Sequence, residues 1–173
     1  MPNTPLTSTS TIDLIQECID EGGDVHPKKF WSKIAHAVLG YEPSSEQFCD
    51  FWQAVAFYNY IQESVGFRAK GNRPTSVQWK AATTPFDEVL ADLKPDCILV
   101  LGETLWRYLS QAGRNGSCLT LGNQSRCTWL YSTGSDTTAL ASQIKHPSAR
   151  SKWDPMEWHP WISALMEGSK HRY

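Results

Sequence analysis

His146 and Asn59 are the side chains best suited to chemistry, because each follows an apolar segment and has polar neighbours. His146 opens the tripeptide His146-Pro147-Ser148, and an imidazole at a strand end is well placed to face a ligand. Pro147 fixes the backbone and withdraws one amide donor. Ser148 can contact a phosphate through its hydroxyl or its backbone amide. These residue types predict hydrogen-bond donation to a group that acquires negative charge. The alternative is a histidine that only caps backbone groups.

Asn59 lies between Tyr58 and Tyr60, at the end of an apolar run that begins at Phe51. A carboxamide offers both a donor and an acceptor, so Asn59 can bind one edge of a planar ring. The two tyrosines can stack on such a ring or fence it. The alternative is a strand end whose asparagine satisfies a turn.

Basic residues occur near both segments, although the chain as a whole is weakly acidic. The net charge is −2 and the pI is near 6.2, which excludes a strongly basic surface. A nucleic-acid partner would therefore need a local patch. Two stretches without acidic residues could form such a basic patch. The first contains Arg68, Lys70, Arg73 and Lys80, and the second contains Lys145, Arg150 and Lys152 around His146. The alternative is scattered charge on solvated loops.

Length and composition predict one folded domain. The chain has 173 residues, of which 40% are hydrophobic and 12% aromatic, enough for a packed core. The Thr-, Ser- and Pro-rich start lacks any periodicity. We predict a disordered segment over residues 1–10, a single domain over 11–168 and a basic tail over 169–173.

The cysteines favour a reducing compartment. There are five, an odd number, and no pair has CxxC spacing, so neither a disulfide framework nor a zinc or iron–sulfur pattern is indicated. We expect no metal, no cofactor and a cytoplasmic location. No apolar run approaches the length of a membrane span, so we expect no membrane partner. We also expect a monomer.

Helical patterns alternate with short apolar strands along the chain. The predicted strands are 54–57, 97–102, 128–132 and 139–145. The predicted helices are one beginning at Thr11 or Asp13 and ending at Gly22-Gly23, then 27–39, 44–51, 76–93 with a bend or break at Pro85, 103–109 and 158–166. This alternation favours a parallel or mostly parallel sheet with helices on both faces. Ligands bind such sheets at the strand ends, so Asn59 and His146 are expected to share one crevice.

The order of several short motifs resembles the uracil-DNA glycosylase superfamily. The motifs are Phe57-Tyr58-Asn59, then Arg73-Pro74-Thr75, then Leu93-Lys94-Pro95-Asp96 with Ile98-Leu99-Val100-Leu101-Gly102, and finally His146-Pro147-Ser148. They span roughly Phe51 to Trp161, about two thirds of the chain. The resemblance implies a three-layer α/β/α sandwich around a short, mostly parallel sheet, and DNA as the partner.

The resemblance also implies roles for the matching positions. Asn59 resembles the asparagine that reads the edge of an extruded base, and Phe57 or Tyr58 the aromatic residue that stacks on it. His146 resembles the histidine that stabilises the departing base. The implied DNA contacts are Arg73 and the loop that enters the duplex, made of Pro147, Ser148, Arg150, Ser151 and Lys152.

One departure from the family pattern concerns the start of the chain. Family members usually begin with a strand whose Gly-rich loop carries the Asp, Asn or Glu that positions the attacking water, and no such strand precedes Thr11. The cysteines of the iron–sulfur branches are also absent. We expect a DNA glycosylase acting on uracil or a modified pyrimidine, since some relatives act on modified phage DNA. The alternatives are an inactive nucleic-acid-binding module of the same fold and a hydrolase of free nucleosides.

Overall fold

The computed structural model describes residues 13, 16, 28–63, 65, 73–109, 113–149 and 152–170. The predicted disordered segment, most of the predicted first helix and the last three residues of the predicted tail lie outside this range. Within the first helix, Asp13 and Gln16 are helical.

Two helices follow their local sequence signals. Helix α1 spans Lys28–Leu39 and helix α2 spans Ser45–Ala54. The Ser44 side chain accepts the backbone N–H of Gln47, whose own side chain accepts the backbone N–H of Ser44. This reciprocal capping box satisfies amides that the first helical turn leaves free. The predicted helix over 27–39 is confirmed, and the one over 44–51 is confirmed but extends further.

The region predicted as one helix over 76–93 forms two. Helix α3 spans Ser76–Ala81 and helix α4 spans Thr83–Leu93. Pro85 is the third residue of α4, where the backbone N–H has no helical acceptor, so its missing donor costs nothing there. Lys94 ends α4 in a left-handed conformation, with φ of 45°.

The second half of the chain carries the strands. They are β1 (Cys97–Leu101), β2 (Arg114–Asn115), β3 (Leu119–Leu121), β4 (Gln124–Arg126), β5 (Trp129–Ser132) and β6 (Thr138–Ile144). Helix α5 (Glu103–Leu109) follows β1, and helix α6 (Pro155–Lys170) follows β6. Helix α6 begins earlier than predicted because the Asp154 carboxylate accepts the Met156 backbone N–H, and proline is favoured at a first helical position.

The sheet is mixed, so the predicted three-layer sandwich with a mostly parallel sheet is wrong. Four strands run in the order β1-β6-β5-β2, and β3 pairs with β4 in a separate antiparallel sheet. Only the β1–β6 pair is parallel among the described strands, because β5–β6 and β2–β5 are antiparallel. The loop between β5 and β6, residues 133–137, is too short for a parallel crossover and long enough for a hairpin.

The predicted strand over 54–57 is also wrong. Helix α2 continues through Ala54, and residues 56–59 belong to no ladder. Ala54, Val55 and Ala56 are exposed, so this stretch does not behave as a buried strand. Its apolar residues line a cavity instead.

Apolar side chains pack against both faces of the sheet. On one face, α1 and α6 contribute to a cluster that includes Ala37, Leu140, Ile144, Trp161, Ile162 and Leu165. On the other face, α4 and α5 contribute to a cluster that includes Phe86, Leu90, Val100, Leu109 and Ala141. Within the described part of the chain, no helix is both long enough and apolar enough to span a membrane.

Candidate functional site

A cavity of about 680 Å³ lies beside the parallel strand pair. Its lining includes every residue of β1 and residues 54–60, together with Phe30 and His146. Asn59 and His146, which are 87 positions apart in the sequence, therefore line the same cavity. We call the part around Phe30, Phe57 and His146 the candidate site, and Asn59 lines the same cavity.

Two backbone hydrogen bonds place His146 at the end of the strand pair. The Gly102 N–H donates to the Ile144 carbonyl over 2.9 Å, which extends the β1–β6 ladder to its last position. The Ala149 N–H then donates to the His146 carbonyl over 2.9 Å and closes a turn. Gly102 has φ of +111°, and a Cβ there would lie 3.3 Å from the His146 Cβ. The predicted position of His146 after a strand is confirmed.

Two side chains fasten the loop that carries His146. The Lys33 ammonium donates to the Pro147 carbonyl over 3.2 Å, and the Trp153 indole N–H donates to the Lys145 carbonyl over 2.8 Å. The Lys33 Nζ also lies 5.9 Å from the centre of the Trp153 ring, within the range of a cation–π contact. Helix α1 thus holds the loop in place, and no local pattern in the sequence predicted this contact.

The hydrogen bond to the His146 ring selects its tautomer. The Ser148 backbone N–H donates to Nδ1 over 3.2 Å. A ring nitrogen that accepts a hydrogen bond carries no proton, so the neutral ring carries its proton on Nε2. Although His146 is solvent-accessible, partial burial against the protein lowers its pKa from the usual 6.5. At neutral pH, His146 is therefore a neutral imidazole with an Nε2–H donor.

One aromatic ring packs against this imidazole, and a second packs on the first. The Phe30 ring centre lies 5.5 Å from that of His146, with the planes tilted by 32°. Phe57 meets the same Phe30 ring edge-on at 6.5 Å. The sequence did not identify Phe30 as a site residue, because a phenylalanine at this position of α1 is equally consistent with packing in the core.

Tyr58 and Tyr60 face away from this group. The Tyr58 ring packs 6.0 Å from Phe86 of α4, and desolvation raises its pKa. Tyr60 is buried, and its hydroxyl lies 3.3 Å from that of Thr83. The sequence left two candidates for the stacking residue, Phe57 and Tyr58. Phe57 is the one whose ring packs on Phe30, which in turn packs on His146. Tyr60 is a core residue at the cavity wall.

The predicted DNA-contact residues differ in accessibility. Ser148, Lys152 and Arg73 are exposed, whereas Arg150 and Ser151 lie outside the described residues. Pro147 is fully buried, so we assign it to shaping the loop and not to contact with a phosphate.

Carboxylates are scarce at the candidate site. Among the described residues that line the cavity, Asp96 is the sole acid, and it precedes β1 at the end opposite Gly102. Five strand residues separate these ends, or about 16 Å at ~3.3 Å per residue. Asp96 is therefore too far from His146 to act on the same group. No cluster of three or more potential metal ligands occurs in the part of the chain that the structure describes.

Comparisons with protein-family models, curated proteins and solved structures give no match to this chain. The resemblance carried by the short motifs thus remains a prediction.

Proposed function

We propose that this protein hydrolyses the N-glycosidic bond of uracil or of a modified pyrimidine in DNA. One observation carries the proposal: the Ser148 amide donates to Nδ1 of His146, in a cavity that Asn59 also lines. This bond leaves the Nε2–H as the free donor of a neutral ring. Such a donor stabilises negative charge where it develops, because it is already oriented before the reaction.

The proposed reaction uses these residues in separate roles. The base is extruded from the duplex, since its glycosidic bond is otherwise unreachable. The bond from the sugar C1′ to the base nitrogen breaks, and its electron pair moves onto the base. The Nε2–H of His146 donates to the base carbonyl that gains this charge. Water adds its hydroxide to C1′, and the remaining proton goes to the base or the solvent.

Asn59 and the phenylalanines would select the base. The Asn59 carboxamide can pair with one base edge, and a base unable to complete those hydrogen bonds leaves polar groups unpaired. Phe30 and Phe57 supply an apolar wall beside the imidazole. This arrangement favours a planar, hydrogen-bonding ring as the ligand.

The cavity has room for a modified base as well as for plain uracil. A volume of about 680 Å³ falls within the range of about 300–1,000 Å³ typical of sites for larger ligands. An unmodified pyrimidine would fill only a small part of it. A pyrimidine with a bulky 5-substituent would bury more surface there.

The test measures base release from synthetic duplexes that contain uracil, 5-hydroxymethyluracil or a glucosylated pyrimidine, scored as abasic sites and by mass spectrometry of the freed base. We expect release from at least one substrate and a loss of at least about 100-fold in His146→Ala, as for removal of one such donor. His36→Ala is the matched control, because His36 lies in α1 outside the cavity lining. Absence of abasic product from every duplex would contradict hydrolysis.

A second candidate function is DNA binding without hydrolysis. The position of Asp96 favours it, because the described cavity lining brings no carboxylate near His146 to activate water. Under this alternative, the protein binds the same duplexes with a strong salt dependence and releases no base. Equal affinity of the parent chain and His146→Ala, with no product from either, would support the binding module.

A further inference from the structure

Two free cysteines lie at the base of the β3–β4 hairpin, at positions that face each other. Strand β3 pairs with β4 through three residue pairs, and the pair farthest from the turn is Leu119 opposite Arg126. Continuing this register by one residue places Cys118 opposite Cys127. Both cysteines are free and exposed. Nine positions separate them in the sequence, so no short cysteine motif marks the pair.

The side chains of this hairpin alternate between an anchored face and a solvent face. Leu119 is buried, and the Arg126 guanidinium lies over two tryptophan rings of α6, at 4.8 Å and 4.5 Å from their centres. This face is therefore packed on α6. Because neighbouring residues in a strand point to opposite faces, Cys118 and Cys127 share the other face, in agreement with their exposure.

The turn at the tip of the hairpin sets the spacing of the two cysteines. Residues 122–123 alone separate β3 from β4, so the last residue of β3 and the first of β4 form the hydrogen-bonded ends of a two-residue loop. Hydrogen-bonded and non-hydrogen-bonded pairs then alternate along the ladder. Counting from the turn makes Cys118–Cys127 a non-hydrogen-bonded pair, whose Cα atoms are about 4.5 Å apart. A disulfide needs a Cα separation of about 4.4–6.8 Å.

A bulge ends the ladder beside the two cysteines. The Gly116 N–H donates to the Thr128 carbonyl over 2.9 Å. Between this bond and the nearest pair of the β3–β4 ladder, the first strand segment has two residues, Ser117 and Cys118, and the second has only Cys127. Two residues opposite one is the arrangement of a β-bulge, which interrupts the ladder locally. The backbone at Cys118 is therefore less constrained than inside a ladder.

We propose that Cys118 and Cys127 form a reversible disulfide by exchange with a small-molecule disulfide. One cysteine sulfur attacks the small disulfide, forms a mixed disulfide and releases one small thiol. The second cysteine sulfur attacks the protein sulfur of this mixed disulfide and releases the other small thiol. The protein thiols are oxidised, the small disulfide is reduced to two thiols, and the two cysteine protons leave on these thiols. The proposal does not depend on base release.

The test exposes the reduced full chain to oxidised glutathione and analyses tryptic peptides of the monomer by mass spectrometry without reduction. Trypsin cleaves between Arg126 and Cys127, so the disulfide joins two peptides, residues 115–126 and 127–145. We expect this linked pair in the parent chain and its loss on addition of dithiothreitol. Glutathione adducts on both cysteines, linkage of either to a third cysteine, a disulfide-linked dimer or no reaction would overturn the proposal.

A variant with the same number of thiols tests the geometry. Cys118→Ser combined with Thr120→Cys keeps two thiols on the exposed face, because Thr120 is also exposed, but moves one to a position diagonal to Cys127. Diagonal positions are about 7–8 Å apart, too far for an unstrained disulfide. We expect glutathione adducts and at least about tenfold less of the internal bond at the same ratio of oxidised to reduced glutathione. A variant that closes as readily as the parent chain would overturn the assigned pairing.

Thermal denaturation measures whether the bond fits the hairpin. The disulfide closes a loop of ten residues, 118–127, which restricts the unfolded chain. We expect the oxidised parent chain to melt about 5–10 °C above the reduced chain. Cys118→Ser, treated in the same way, should show no such rise. A melting temperature of the parent chain that stays the same or falls on oxidation would overturn the proposed fit.

Discussion

His146 and His159 are held by opposite hydrogen bonds at the same ring atom. At His146, Nδ1 accepts the Ser148 backbone N–H, so the neutral ring carries its proton on Nε2. At His159, Nδ1 lies 3.0 Å from the Ala37 carbonyl, which can only accept, so the proton is on Nδ1. Its Nε2 faces the Ser163 hydroxyl at 3.4 Å. One imidazole keeps a free donor at a cavity, and the other uses both nitrogens inside the fold.

The comparison shows how a backbone partner decides what a histidine can do. Ala37 is fully buried near the end of α1, where the last helical carbonyls have no backbone N–H partner within the helix. The His159 N–H satisfies this carbonyl and ties α6 to α1. At His146 the ring atom Nδ1 is the acceptor, so the proton on Nε2 takes no part in this hydrogen bond.

Each histidine also packs against a glycine with positive φ. Gly40, with φ of +81°, ends α1, and a Cβ there would lie 2.4 Å from the His159 ring. Gly102, with φ of +111°, would place its Cβ 3.3 Å from the His146 Cβ. At Gly40 the added Cβ would overlap the His159 ring. At Gly102 the added Cβ would require only a small displacement of His146.

The largest expected effect is on folding, from Gly40→Ala. We expect the free energy of unfolding to fall by about 3 kcal/mol, from left-handed strain together with overpacking against the His159 ring, which its hydrogen bond to the Ala37 carbonyl holds in place. Urea denaturation measures this. Gly122→Ala is the control, because Gly122 has φ of +57° with no atom within 4 Å of an added Cβ, and it should cost only about 1 kcal/mol. Equal losses would show that the His159 contact is unimportant.

The next effect separates the two histidines directly. We expect His146→Ala to lower base release at least about 100-fold with little change in melting temperature. We expect His159→Ala to lower the free energy of unfolding by about 1–3 kcal/mol, because the buried Ala37 carbonyl loses its donor. Release assays and denaturation on both variants test this. A loss of stability in His146→Ala equal to that in His159→Ala would remove the distinction.

Gly102→Ala should have an intermediate effect on both properties. The strained φ costs about 1–3 kcal/mol of folding free energy, and the added Cβ pushes against His146. We expect base release to fall roughly tenfold, corresponding to a barrier higher by about 1.4 kcal/mol. Unchanged release at reduced stability would mean that His146 tolerates the displacement.

Lys33→Met tests whether α1 positions the loop that carries His146. Losing the bond to the Pro147 carbonyl removes about 1 kcal/mol of loop anchoring, and we expect kcat to fall about fivefold with KM unchanged. Lys33→Arg should recover most of this loss, because it keeps a cationic donor. A rise in KM without a change in kcat would instead assign Lys33 to DNA binding.

The smallest expected effect is a pH dependence of stability. Because the folded pKa of His146 lies below 6.5, the unfolded chain binds more protons as the pH falls below that value, and stability decreases. Above the unfolded pKa both states are neutral, and this contribution is constant. We expect the melting temperatures of the parent chain and His146→Gln to change differently between pH 7 and pH 5. Parallel curves would contradict a lowered pKa.

Local signals in the sequence predicted the elements that carry Phe30 and His146, but not the loop that carries Phe57 and Asn59. Gly40 marks the end of α1, the apolar run before Gly102 marks β1, and His146 lies two residues past the end of β6. These features depend on residues within one or two turns of each other, which propensity and capping govern. The hairpin between β5 and β6 also had a local signal in the short loop 133–137, which the expectation of parallel strands overlooked.

The sequence by itself determined where α1 ends, that β1 is wholly apolar, and which imidazole follows a strand. Only the tertiary structure decided that the sheet is mixed, that Phe30 and Lys33 of α1 reach the His146 loop, and that Phe57 rather than Tyr58 packs on the Phe30 ring beside the histidine. The physical reason is that these contacts join residues far apart in the chain. Their existence depends on how helices pack across the sheet, and no local pattern records that packing.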